Sequence, residues 1–339
     1  MNIFLSIFRN LSLFSLLLLG FSEAAPFSEL QLKRAGELRE LTKDLTEVGT
    51  YIYSRTVDAY AGKYDLMAEK VQILGITNVY LSFSLKKNEQ DPLYSEKIRT
   101  ILQELHKRKI SVSVETLNDP ETYTVKGYVE STFQTIRNFN ESAVDSSSKF
   151  DAISLDVEPH TLKEGRSLPK EYPFRWNSET GNGPGKANDL LMIETFSILK
   201  RARKEAGSLK ISEAVAAFFH ERVEKGLLTV GKINDFLAEV DTVHVMSYFT
   251  TGEKIVESVD EELRAASREK SILVCVKTSL NTVNGGSNEA SSLSVGGWDS
   301  AVAVMKQVIT TLKPYPSFRG VGYFEFQGLV DLWESEAKK

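Results

Sequence analysis

The sequence has few of the residues that build disulfides, metal centres or phosphate sites. Its one cysteine, Cys275, cannot form an internal disulfide, so the stability of the fold must come from the size of its hydrophobic core. Its four histidines show neither the HxH nor the HExxH spacing of catalytic metal sites. It lacks a G-x-S-x-G turn and a glycine-rich phosphate turn after an early strand, which excludes an α/β-hydrolase and disfavours a nucleotide-binding sheet. We therefore expect neither a metal nor a cofactor.

The sequence also has no strong excess of positive or negative charge and few long apolar runs. The net charge of −5 over 339 residues comes without a basic stripe, so we expect no nucleic-acid partner. One apolar run, residues 11–21, follows Arg9 and precedes small residues suited to cleavage. This pattern predicts a signal peptide at residues 1–24, with a retained anchor as the alternative. The run is short for a transmembrane helix and no later segment qualifies, so we expect a secreted or periplasmic protein with no integral membrane span.

Strand-like and helix-like patterns alternate through the rest of the chain. A charged helix within residues 25–47 leads into eight apolar runs, which are typical of parallel strands buried on both faces. These strands are predicted at residues 48–53, 78–84, 110–117, 150–158, 209–218, 241–249, 271–278 and 318–326. A helical pattern follows each of them, which predicts an α/β fold, a single (β/α)8 TIM barrel over residues 48–339. We expect a monomer, and an open doubly wound sheet is the alternative fold.

The fourth predicted strand carries acids among apolar residues, in the stretch FDAISLDVEPH at 150–160. Alternation along a strand places Ser154, Asp156, Glu158 and His160 on one face, with neighbours roughly 6.6 Å apart. Burying carboxylates on such a strand costs so much desolvation free energy that we expect them to have a role. The carboxyl end of a strand is also where parallel α/β folds place their active sites. A neighbouring carboxylate and apolar walls would raise the pKa of Glu158, which makes it the candidate general acid. The alternative is that the acids anchor an arginine or lysine inside the barrel.

The stretch DAISLDVE at 151–158 is similar to the DGxDxDxE signature on strand 4 of family 18 glycoside hydrolases, the chitinases and endo-β-N-acetylglucosaminidases. The segment from Met246 to Tyr248 resembles the M-x-Y segment of the same family, and the resemblance spans about residues 48–335. It implies that Glu158 protonates the glycosidic oxygen while the substrate's own 2-acetamido carbonyl attacks the anomeric carbon. It also implies that Asp156 orients the acetamido group and that Tyr248 donates a hydrogen bond to its carbonyl. This is the substrate-assisted exception among glycosidases.

The sequence departs from that family's pattern at several positions. Ser154 replaces the middle acid of the signature; it can hydrogen-bond Asp156 but cannot share a proton with it as a second carboxyl would. Phe249 stands where an aspartate commonly follows the tyrosine. Strand 8 does not end in tryptophan, so Phe324 or Phe326 would have to form the floor of the sugar site.

Further residues at predicted strand ends and loops are candidates for substrate binding. The predicted binding residues are Ser154, His160, Met246, Tyr51, Phe83, Phe324 and Glu325. The other aromatic candidates are Tyr53, Tyr80, Trp176 and Trp298, of which most are expected in the core. If Glu325 points inward it could pair with Glu158 as in a conventional glycosidase, and otherwise it forms an ion pair towards the outer helices. For Glu115 and Glu213 we expect structural roles.

Three functions remain compatible with these observations. The first is a glycoside hydrolase acting on a glycan or oligosaccharide that contains N-acetylhexosamine. The second is a non-catalytic, lectin-like barrel, favoured by Ser154 and Phe249. The third is a glycosidase of another family that pairs Glu158 with a second carboxylate such as Glu325. Acidic residues whose burial costs much desolvation free energy usually take part in function, so the sequence favours an enzyme.

Overall fold

A computed structural model of the chain describes residues 27–91, 93–163, 172–281 and 286–335. Within them, eight parallel strands form a closed barrel in which each strand pairs with the next along the chain and β8 pairs with β1. The prediction of a (β/α)8 barrel is thus confirmed. The predicted signal peptide lies outside the described residues. No helix in the described part of the chain is long and apolar enough to cross a membrane.

The eight strands are short. They are β1 (Glu47–Ile52), β2 (Asn78–Ser82), β3 (Ser111–Thr116), β4 (Ala152–Leu155), β5 (Lys210–Ala216), β6 (Thr242–Met246), β7 (Ile272–Lys277) and β8 (Phe318–Phe324).

Helices surround the barrel. They are α1 (Glu29–Thr42), α2 (Ser54–Ala59), α3 (Tyr64–Ile73), α4 (Leu85–Gln90), α5 (Tyr94–His106), α6 (Glu121–Thr124), α7 (Tyr128–Glu141), α8 (Ala187–Ala206), α9 (Phe219–Glu224), α10 (Ile233–Glu239), α11 (Gly252–Glu257), α12 (Asp260–Ala265), α13 (Gly297–Leu312) and α14 (Phe326–Glu334). Four 3₁₀ segments lie between them, at Ser146–Ser148, Pro159–Thr161, Glu289–Ser291 and Leu293–Gly296.

Two separate clusters of buried side chains stabilise the fold. The larger fills the layer between the strands and the helices. The smaller lies inside the barrel, where Tyr51, Tyr80, Leu273 and Cys275 pack together. Cys275 is fully buried, and burial raises the pKa of its thiol to about 12. The barrel interior is therefore a packed core rather than a channel.

Polar groups close the amino-terminal end of the barrel interior. Glu47 accepts a hydrogen bond from the Tyr80 hydroxyl and forms an ion pair with Arg319. The Tyr51 hydroxyl lies 2.9 Å from Nδ1 of His244, and burial lowers the pKa of His244 to about 4. His244 is therefore a neutral core residue at physiological pH. The carboxyl end of the barrel is the end that remains for a site of chemistry.

The fourth strand ends earlier than the sequence predicts, at Leu155 rather than at residue 158. The Asp156 N–H still donates to the Thr116 carbonyl, at 3.0 Å. The Val157 N–H instead donates to the Glu213 carboxyl, at 3.2 Å, so the chain leaves the ladder there. Pro159 then begins a 3₁₀ turn. The acids consequently lie on an extended segment just beyond the strand, not within it.

Candidate active site

The three residues predicted to be catalytic lie at the carboxyl end of the barrel. Asp156 and Glu158 follow β4, and Tyr248 follows β6 by two residues. Burial raises the pKa of the Tyr248 hydroxyl well above its usual range, and the charges of Cys275, Asp156 and Glu158 raise it further. Asp156 and Glu158 lie on one segment after β4, and Glu158 and Tyr248 line the same cleft. The tyrosine stays protonated and can donate a hydrogen bond at any physiological pH.

A cleft of about 1360 Å³ opens beside these residues. Its lining includes Glu158, His160, Met246 and Tyr248, together with the segment from Ala216 to Phe218 after β5. A cavity of this size can hold several sugar rings. Four of the residues predicted from the sequence to act in binding or catalysis thus line one cleft.

His160 lies beside the candidate general acid. Its Nε2 atom is 3.5 Å from Oε1 of Glu158. The imidazole is held by rings, with centroids 5.4 Å from Phe218, 5.7 Å from Phe219 and 6.5 Å from Trp176. Trp176 itself is buried behind the histidine, so its ring supports the wall of the cleft rather than offering a face to a sugar.

Aromatic rings form the floor at the mouth of the barrel. The Phe324 ring centroid lies 5.5 Å from that of Tyr248, 5.8 Å from Tyr53 and 5.9 Å from Tyr51. Of the two phenylalanines predicted as the floor of a sugar site, Phe324 is the one that lies among the rings at this end of the barrel. The other, Phe326, is fully buried in α14 and lies outside the site.

Lys277, at the end of β7, is a member of this site that the sequence analysis passed over. Its Nζ atom lies 4.5 Å from the centroid of the Tyr248 ring and 5.6 Å from that of Phe324. Burial lowers the pKa of Lys277, while the negative charge of Glu158 opposes that change. The rings stabilise the ammonium by cation–π contact in the cleft that Glu158 also lines. Its position at a strand's carboxyl end was the available sequence signal.

Two predicted binding residues lie elsewhere. Phe83 is buried between the barrel and the helices, where its ring contacts Tyr94, Phe139 and Phe150. The Phe83 side chain faces the helices rather than the barrel interior, because it continues the helix-facing side of β2. The sequence-based placement of Phe83 in the groove is not supported by this position.

Glu325 also points away from Glu158. Its carboxylate is buried, forms an ion pair with Arg55, and lines a second cavity of about 830 Å³ together with Arg34 and Trp298. The chain leaves β8 at Phe324, and Glu325 caps the start of α14 instead of continuing the strand. Glu325 and Glu158 therefore line different cavities, and the placement of Glu325 matches the ion-pair alternative.

Two further acids do lie near the catalytic segment. Glu115 on β3 and Glu213 on β5 are both almost completely buried. Neither has a cationic partner within 4 Å among the described residues, contrary to an ordinary structural ion pair. Burial raises the pKa of Glu213 well above its usual range, and the charges of Asp156 and Glu158 add to this effect. The segment that carries Asp156 and Glu158 is thus flanked by carboxyl groups that favour their protonated form.

Glu213 holds the catalytic segment through the backbone of Val157, and this contact gives a testable prediction. Glu213→Leu would leave the buried Val157 N–H without an acceptor, which costs about 1–3 kcal/mol. Glu213→Gln keeps a carbonyl acceptor on a side chain of the same length, so it should lose clearly less free energy of unfolding than Glu213→Leu. Urea unfolding of both variants beside the wild type measures the difference. Equal loss in the two variants would mean that the hydrogen bond does not hold the segment.

The closed ring of eight strands identifies the fold as a (β/α)8 barrel. The acids after β4 place its candidate active site at the carboxyl end of the strands, the usual location in this fold. Among the described residues, no group of three His, Cys, Asp or Glu side chains could hold a metal ion.

No protein-family model and no curated protein matches the sequence. The structure is similar to the C-terminal domain of a putative chitinase from Desulfitobacterium hafniense, with a TM-score of 0.54, 10% identity, and coverage of 86% of this chain and 99% of that one. It also matches the Legionella pneumophila ChiA C-terminal domain (TM-score 0.49, 15% identity, 85% and 95% coverage). A third match is the PgaB (BpsB) glycoside hydrolase domain from Bordetella bronchiseptica (0.49, 11%, 84% and 95%). At such low identity, these likenesses establish the fold alone.

Proposed function

We propose that this protein is a glycoside hydrolase that cleaves a glycan containing N-acetylhexosamine by substrate-assisted catalysis. The observation that carries the proposal is that Glu158 and Tyr248 line one cleft at the carboxyl end of the barrel, with Asp156 two residues before Glu158 on the same segment. The similarity of residues 151–158 to the strand 4 signature of family 18 supports the same reaction. In this proposal residues 1–24 direct secretion, residues 25–47 lead into the barrel, and residues 48–339 form the catalytic domain.

Each of the three residues has one task in the proposed reaction. The acetamido carbonyl oxygen of the substrate forms a bond to the anomeric carbon as the glycosidic C–O bond breaks. Glu158 transfers its proton to the departing oxygen, and the carboxylate that results later takes a proton from the attacking water. The water displaces the acetamido oxygen, which restores the sugar and the enzyme. Asp156 stabilises the positive charge of the cyclic oxazolinium intermediate, and the Tyr248 hydroxyl donates to the acetamido carbonyl.

The aromatic floor supports a sugar rather than a charged ligand as the occupant. Tyr248 lines the cleft and packs against Phe324, and the C–H face of a pyranose packs well against aromatic rings. Lys277 lines the same cleft as the proposed general acid and can hydrogen-bond a sugar hydroxyl there. The site therefore combines an apolar platform with a few directed polar groups.

A panel of substrates tests this function. Purified protein is incubated with chitin oligomers, N-glycans and neutral β-glucans, and released products are identified by mass spectrometry. Release from acetamido sugars alone is the expected result. Release from neutral glucans would contradict substrate assistance and favour a glycosidase with a second protein carboxylate. Binding without release from any member of the panel would identify the barrel as lectin-like.

A further inference from the structure

Glu115 has a buried carboxyl oxygen for which the fold provides no partner. The residue is only 1% exposed, and its Oε1 atom accepts a hydrogen bond from Asn118 at 3.0 Å. Among the described residues, no group hydrogen-bonds to its Oε2 atom. A buried carboxylate in this state is costly, so either the group holds a proton or the site uses its charge.

The register of the barrel places Glu115 beside the position where strand 4 has serine. Glu115 on β3 is paired with Ser154 on β4, so the two side chains face the barrel interior at the same height. Asp156 lies two residues further along the chain from Ser154, towards the cleft. The Ser154 hydroxyl is itself buried and finds no partner in the described part of the chain. An acid is therefore present next to Asp156, but it comes from the neighbouring strand.

The charges around Glu115 favour the proton staying on it. Burial raises the pKa of Glu115 to about 8, and the negative charge of Asp156, followed by that of Asp119, contributes to the rise. The hydrogen bond from Asn118 and the nearby Ser82 hydroxyl act in the opposite direction. The tyrosines that face it, Tyr53 and Tyr94, are neutral hydroxyls whose own pKa values are raised, mainly by burial. Two neighbouring carboxyls in a dry site do not both ionise at low cost.

We propose that Glu115 is a positioning residue that shares one proton with Asp156 and so supplies, from strand 3, the second acid that strand 4 lacks. With the proton on Glu115, Asp156 is ionised and can stabilise the cationic intermediate. Deprotonation of Glu115 places a second negative charge behind Asp156 and disturbs that carboxylate's hydration and orientation. The inference rests on the proposed function for its catalytic meaning, whereas the shared proton is a property of the folded chain.

The shared proton is tested without any substrate. The carboxyl carbons of glutamate are labelled with ¹³C, and Glu115 is assigned by comparison with Glu115→Gln and followed by NMR between pH 4 and pH 10. The expected midpoint is near pH 8 in the wild type, and it should fall in Asp156→Asn because the neighbouring charge is gone. An ordinary midpoint below pH 5, or one that Asp156→Asn leaves in place, would overturn the proposal.

Protein stability gives a second readout. A carboxyl whose pKa is raised in the folded state contributes stability that is fully present below its unfolded pKa, about 4.5, and is lost as the pH rises through the folded value of about 8. The free energy of unfolding should therefore fall across this window in the wild type and fall less in Glu115→Gln. Glu47→Gln, which removes a buried carboxyl at the opposite end of the barrel interior, is the matched control and should keep the wild-type slope between pH 5 and pH 8.

Kinetics then test the role in the reaction. A dinitrophenyl glycoside of an acetamido sugar needs no proton on its leaving group, so its kcat/KM, which covers the steps up to departure of that group, does not depend on the proton of Glu158. We expect the wild-type kcat/KM to decline as the pH rises through about 8 and the decline to be lost in Glu115→Gln, whose amide donates without titrating. Identical pH profiles in the two proteins would overturn the positioning role. If the wild type cleaves no acetamido sugar, the proposed function fails, and the NMR titration still decides whether the proton is shared.

Discussion

Glu158→Gln is expected to lower kcat on an acetamido glycan by about 10²–10⁴-fold, the usual contribution of a positioned general acid. Glutamine keeps the size and the hydrogen-bonding capacity of Glu158 but has no proton to give to the glycosidic oxygen. The side chain is partly exposed at the edge of the cleft, so the substitution should leave the thermal midpoint close to that of the wild type. Steady-state kinetics and thermal unfolding of the same preparation measure both effects.

The leaving group provides the control for this variant. With a dinitrophenyl glycoside, whose phenolate departs without a proton, the defect of Glu158→Gln in kcat/KM should largely disappear, while kcat still contains the later step in which Glu158 acts as the base. Glu141→Gln changes an exposed acid at the end of α7, outside the cleft, and should behave as the wild type on both substrates. Full activity of Glu158→Gln on the natural type of leaving group would remove Glu158 from the mechanism.

Asp156→Asn is expected to lower kcat by about 10²–10³-fold, as does the removal of a group that stabilises charge in a transition state. Asparagine retains the shape of the side chain but cannot offer a negative charge to the oxazolinium intermediate. Unlike the loss in Glu158→Gln, this loss should persist with the dinitrophenyl substrate, because cyclisation is required whatever the leaving group.

A stable thiazoline analogue of the intermediate separates binding from turnover. Its affinity, measured by isothermal titration calorimetry, should weaken in Asp156→Asn by about the same factor as kcat, since both report charge stabilisation. Glu158→Gln should bind the analogue with an affinity much closer to that of the wild type. Unchanged affinity in Asp156→Asn would show that the carboxylate does not act on the acetamido group.

The barrel could be predicted from the sequence because its signals are local. Each strand is a short apolar run followed by a helical pattern, and eight repeats of that unit have one common closed arrangement. The acids after β4 were identified for the same reason, since polar residues at the carboxyl end of a buried strand stand out in the sequence. The exact end of that strand depended on Glu213, 56 residues away, and could not be read locally.

The parts of the site that escaped prediction depend on contacts between distant segments. Lys277 belongs to the site because its register partner is Phe324 and because Tyr248 reaches over it from β6. The proposed role of Glu115 depends on its register partner on the adjacent strand, Ser154. Glu325 was an inward candidate by alternation alone, but the start of α14 turns it towards Arg55. In each case the deciding neighbour is remote in the chain, which a local pattern does not encode.

The thiol inside the barrel has a practical consequence for experiments on this protein. Cys275 is 0% exposed and its high pKa keeps the reactive thiolate scarce, so alkylating reagents have neither access nor a nucleophile in the native state. A cysteine introduced at an exposed site such as Val144 would then be the reactive thiol of choice for a fluorophore or a spin label. A label can thus be attached to the folded protein with the natural cysteine left in place.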